Sequence, residues 1–205
     1  MRLSKSCCEN KISELSLLQK SQRNVLRIVL LINALMFVVE YISGILSKSS
    51  ALTADSLDML GDALVYGFSL YVLNKGDVWR SRAGLLKGLL MISFGLFVLG
   101  QTIYRFMQME LPVAEAMGII GGLALVANLT CLVLLYRHRS DDINMRSTWI
   151  CSRNDIVANS GVLIASGLVA LTGSIWPDTV IGLIVAVLFL KSSFGVISES
   201  IASLR

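Results

Sequence analysis

The sequence has 205 residues, of which 55% are hydrophobic and only 16% charged. A soluble domain carries about a quarter charged residues, whereas here the charges fall in short stretches between apolar runs long enough to cross a bilayer. The net charge of +4 and pI near 9.0 come without a basic patch interleaved with aromatics, which argues against nucleic acid and for basic loops that set membrane topology.

In chain order, residues 1–27 form a polar, basic N-terminal tail with no cleavable signal peptide. Ile12, Leu15, Leu17 and Leu18 give it weak helical periodicity, compatible with a short amphipathic helix on the inner leaflet or with a flexible tail. It also holds Cys7-Cys8-Glu9. Adjacent thiols suit capture of a soft metal ion, with palmitoylation or an inert tail as the competing readings.

Residues 28–200 read as one membrane domain of six helical spans, and 201–205 as a short C-terminal end. The spans fall at about 28–47, 50–74, 83–104, 116–136, 145–172 and 179–198, each near the length that about 30 Å of hydrocarbon requires. The fold class is an all-α membrane protein.

Lys and Arg set its orientation. Arg2, Lys5, Lys11, Lys20, Arg23 and Arg27 precede the first span, and Lys75, Arg80 and Arg82 follow the second. Arg137, Arg139 and Arg146 follow the fourth, and Arg205 ends the chain, against Lys48 and Arg105 on the other side. The positive-inside bias predicts that both termini are cytoplasmic and that the protein is a multi-pass component of the cell's inner membrane.

The second span contains Asp55, Asp58 and Asp62 at i, i+3 and i+7, which puts all three on one helical face. A charge at membrane depth costs on the order of 2.5–3.5 kcal/mol or more, so each carboxylate needs a reason to be there. Three like charges repel unless some are protonated or a cation sits between them. The fifth span has Cys151 and Asp155 at i and i+4.

Helical rise puts Asp62 roughly 18 Å from the cytoplasmic end of its span and Asp155 roughly 13 Å from Arg146. Asp58, Asp62, Cys151 and Asp155 are therefore predicted to meet at similar depth, as three carboxylates and a thiolate. Four ligands of this kind suit Zn²⁺.

Asn33 and Glu40 share a face of the first span and line the same cavity or bond to a neighbouring helix. Asn159, one turn beyond Asp155, reads as a group that orients a ligand. Asp55, Glu40, Asn159, Cys7 and Cys8 are accessory candidates. Cys131 reads as a small buried apolar residue, and the lone His138 as a solvated loop residue.

These residues resemble the cation diffusion facilitator family of metal/proton antiporters over about residues 26–200. Asn33, Glu40 and Gly44, then Ser50-Ala51-Leu52, Ala54-Asp55-Ser56-Leu57-Asp58-Met59-Leu60 and Asp62-Ala63, look like its first two spans. Asn144, Cys151-x-x-x-Asp155 and Val162 look like its fifth.

The resemblance implies a transport site of Asp58, Asp62, Cys151 and Asp155. Its cargo would be a divalent ion (zinc, cobalt, cadmium, iron or manganese) exported against protons, with no bound cofactor. Asp58 and Cys151 stand where zinc transporters of the family often have His. A carboxylate pair in the second span is linked to iron or manganese, while the cysteine favours zinc, cadmium or cobalt.

The resemblance also implies a homodimer. Typical members continue into a cytoplasmic domain past the sixth span, so this chain resembles a short form.

Two rival readings remain at this stage. One is a membrane-bound metal sensor or partner subunit without transport. The other is an intramembrane phosphotransferase of the CDP-alcohol type, but the Asp-Gly and Ala-Arg elements that such an enzyme needs are absent from residues 40–54. The expectation is a transporter rather than an enzyme.

Overall fold

The computed structural model describes the backbone of residues 7–72, 77–139 and 143–204, with most side chains from residue 21 onward. Six helices follow in order: α1 (Cys7–Leu46), α2 (Ser50–Val72), α3 (Asp77–Gln108), α4 (Ala114–Tyr136), α5 (Ile143–Thr172) and α6 (Trp176–Leu204). No strand occurs among the described residues.

Among the described residues, five segments are long and apolar enough to cross a membrane: Ser21–Leu46, Gly88–Gln108, Ala114–Tyr136, Asp155–Thr172 and Trp176–Gly195. The sixth helix, α2, is also long enough. It stands apart because every span-length stretch within it carries Asp55, Asp58 and Asp62.

The helices overrun the apolar runs at several ends. α1 is helical from Cys7, so residues 7–27 continue the first span instead of forming a separate element. α3 starts at Asp77 and α6 at Trp176. Backbone hydrogen bonding does not stop where hydrophobicity does.

α1 packs chiefly on α2, α4 on α5 and α3 on α6, with α1 also against α4. α2 touches α1, α3, α5 and α6, which makes it the central helix. The lipid-facing surface is apolar, with Leu31, Leu35, Ile42, Val126, Ile164 and Val187 exposed.

The interior holds two main apolar clusters. Leu26, Val29, Tyr66, Cys131 and Leu135 join α1, α2 and α4. Ala54, Leu57, Val98, Val185, Ala186 and Phe189 join α2, α3 and α6.

The three short connections α1–α2, α3–α4 and α5–α6 lie at one end of the bundle. Lys48, Met109 and Gly173 take left-handed backbone there, with φ of 58°, 53° and 60°. Val113 N–H donates to the Ser47 carbonyl at 2.9 Å, and Lys48 pairs with Glu110 at 3.0 Å, so the first two connections are tied together.

α6 caps α2 at this end. Ser50 N–H donates to Asp178 Oδ2 at 2.7 Å, and Ala51 N–H to Oδ1 at 3.0 Å. Ser49 Oγ donates to Asp178 Oδ1 at 2.6 Å and accepts from Leu52 N–H at 3.0 Å. The first-turn donors of α2, which lack partners within the helix, are thus satisfied, and a carboxylate meets the positive end of the helix.

Arg105, read from sequence as a loop charge, is instead buried. Its guanidinium donates to the Gly44 carbonyl at 3.2 Å and to Thr53 Oγ1 at 3.4 Å. The approach of α1 to α2 beside it needs glycine, since a Cβ on Gly44 would lie 2.7 Å from Thr53 Oγ1 and 2.9 Å from its nitrogen.

Candidate metal site

The polar interior is built by α1, α2, α4 and α5. Asp55 is fully buried, and Asn159 Nδ2 donates to both of its carboxylate oxygens, at 2.8 and 2.9 Å. Asn128 on α4 donates to Asn159 Oδ1 at 3.4 Å. The carboxylate fixes which way the Asn159 amide points, because its oxygens accept and never donate when ionised.

This contact sets the register of the antiparallel α2 and α5. Three residues inward from Asp55 is Asp58, and four inward from Asn159 is Asp155, about 4.5 and 6 Å along their helices. Another turn in are Asp62 and Cys151, about 10 and 12 Å from the same reference. Asp58 is therefore level with Asp155, and Asp62 with Cys151.

Asp62 is buried and accepts a hydrogen bond from Tyr66 Oη at 2.6 Å. Asp58 and Asp155 are half-buried. The Cys151 backbone lies in α5, and its side chain is outside the described residues, as are those of Cys7 and Cys8 in the first turn of α1.

Among the described residues, no three acidic, thiol or imidazole side chains converge closely enough to hold a metal ion as they stand. By helical rise from the Asp55–Asn159 contact, the backbone sets Asp58 level with Asp155 and Asp62 level with Cys151.

Asn33 bonds to a neighbouring helix, one of its two sequence readings, while Asn159 turns to a different carboxylate from its helix neighbour. Asn159 binds Asp55 rather than Asp155. Asn33 donates to the Val29 carbonyl at 2.9 Å and to Cys131 Sγ at 3.8 Å. Cys131 is buried as expected, and Asp62 is the charge that bears on it.

Glu40 is fully buried, and neither of its carboxylate oxygens has a hydrogen-bond partner. Asp55 and Asp58 are the charges that bear on it. Arg153 is exposed, with its guanidinium 5.6 Å from the Trp149 ring centre. His138 is half-buried, its Nε2 lying 3.4 Å from Ser21 Oγ.

Sequence reading missed Asp178 and Arg105. Ser49 and Ser50 before an apolar helix are an N-cap signal, but the acidic partner across 128 residues has no local signature.

A bundle of membrane-length helices with carboxylates and amides turned inward defines a multi-pass membrane protein. Residues 26–205 match the cation efflux transmembrane domain, and the chain belongs to that family.

It is similar to the metal cation efflux system protein CzcD of Cupriavidus metallidurans, at 23% identity over 86% of this chain and 62% of the relative. It is similar to the cadmium, cobalt and zinc/H(+)-K(+) antiporter of Bacillus subtilis, at 25% identity over 84% and 61%. It is also similar to the zinc transporter ZitB of Yersinia pestis, at 28% identity over 89% and 62%. The chain spans about three-fifths of the length of these relatives.

Proposed function

We propose that this chain moves a divalent transition-metal ion outward across the cell's inner membrane in exchange for protons. Zinc, cobalt or cadmium is the cargo, and Asp58, Asp62, Cys151 and Asp155 are its ligands. The observation that supports this reading is the Asp55–Asn159 contact, from which helical rise counts Asp58 level with Asp155 and Asp62 level with Cys151.

Carboxylates and a thiolate hold a metal only when deprotonated, so loading the ion releases protons and reprotonation ejects it. Exposing the same four residues alternately to the two sides turns that competition into exchange. The metals in the names of two relatives, cadmium, cobalt and zinc, agree with a site containing one soft sulfur. Two copies of the chain form the working unit.

The test is purified protein in liposomes with a pH-sensitive dye inside. Addition of Zn²⁺, Co²⁺ or Cd²⁺ should drive metal and protons in opposite directions. Metal flux that is indifferent to collapse of the pH gradient would reject exchange, and absence of flux would reject transport.

A further inference from the structure

Glu40 does not fit the four-ligand site. It sits on α1, six residues from the outer end of that helix, and Asp55 sits five residues from the outer end of α2. The two helices form a hairpin whose close approach is Gly44 against Thr53, one turn outward of Glu40. Counting inward from that contact puts Glu40 between the levels of Asp55 and Asp58.

Both Glu40 oxygens are buried without a hydrogen bond, and an ionised carboxylate in that condition is among the costliest groups to bury. The Asp55 oxygens accept one amide and keep lone pairs free. The buried guanidinium of Arg105 is spent on Gly44 and Thr53.

We infer that Glu40 and Asp55 form a second cation position, outward of the four-ligand site, which takes a divalent ion through oxygen donors alone. Its charge of two carboxylates matches one divalent ion, and burial makes that match strict. Having no sulfur or nitrogen ligand, it favours harder ions than the site containing Cys151. Water completes the coordination, as is usual when carboxylates are few.

An ion leaving the inner site reaches this pair before the outer connections, so the pair is an exit station. That direction of passage rests on the outward-transport reading above, whereas the existence of the position does not.

The test counts Mn²⁺ bound to the purified full chain in detergent, by loss of the free-ion electron paramagnetic resonance signal. Wild type should bind two ions per chain, Glu40→Gln one, and Asp62→Asn one. Glu40→Asp, which keeps the carboxylate, should bind two with weaker affinity for one.

A single ion in wild type that Glu40→Gln leaves in place, or two in Glu40→Gln, overturns the inference. Loss of both ions in Glu40→Gln would place Glu40 in the inner site and also overturns it. If Asp62→Asn alone keeps both ions, the ligand assignment of the inner site fails while the outer position stands.

Discussion

Asn159 holds both carboxylate oxygens of Asp55 with one amide, at 2.8 and 2.9 Å, across the α2–α5 interface. Both residues are buried, at 2% and 0% exposure, so the bond is made where water does not compete. A polar bond at that depth acts as a register pin, because sliding either helix by one residue would leave a carboxylate unsatisfied.

Replacing Asn159 with Leu should therefore cost more than an average core change. It strands the Asp55 carboxylate, with an expected loss of about 1–3 kcal/mol. Thermal unfolding in detergent should show a lower midpoint, and metal flux should fall with it. A midpoint equal to wild type would mean that the pin is dispensable.

Asp58→Ala, Asp62→Ala and Asp155→Ala should each lower metal flux into vesicles by at least about tenfold, the effect of losing roughly 1.4 kcal/mol of binding in the transported state. Tyr66→Phe removes only the donor to Asp62 and should give a milder defect. Full flux in any of the three alanine variants removes that residue from the proposed site.

Cys151 should govern which metal is preferred. Sulfur gives Cd²⁺ and Zn²⁺ more than it gives Mn²⁺, so Cys151→Ser should weaken Cd²⁺ most. Cys151→Asp should shift preference toward Mn²⁺ while keeping some flux. Competition binding with Cd²⁺, Zn²⁺, Co²⁺ and Mn²⁺ reads this directly, and an unchanged rank order and spacing would sink the assignment.

Asp178→Ala should loosen the outer end of α2 by about 1–2 kcal/mol, the usual penalty for a lost N-cap acceptor. Hydrogen exchange at Ser50 and Ala51 should rise before that of the rest of α2. Protection unchanged from wild type would show that Ser49 alone is a sufficient cap.

Five of the helices were legible because hydrophobic runs of membrane length announce themselves, and α2 was legible despite its three aspartates because the rest of the run is apolar. Their ends were less so: hydropathy reports the apolar layer, whereas α1 remains helical back to Cys7 through polar sequence. The facing of Asp55, Asp58 and Asp62 was readable from spacing alone, and the structure buries Asp55 and Asp62 on the interior side.

The partner of Asn159 was not readable, because spacing on one helix says nothing of register against another. Arg105 shows the same limit. A basic residue near a helix end reads as solvated, until a neighbouring helix supplies the Gly44 carbonyl and the Thr53 hydroxyl.

The cap on α2 has a mechanical consequence. Asp178 grips the outer tip of α2, through bonds to Ser49, Ser50 and Ala51, so these bonds by themselves fix the position of the tip and not the tilt of the helix. A rod pivoted at one tip moves least there and most far away. Asp62 lies about 18 Å down the helix from Ser50 by helical rise, so ten degrees of tilt carries it roughly 3 Å. Such leverage would shift the inner carboxylate row by more than a metal–ligand bond length while the outer connections stayed fastened.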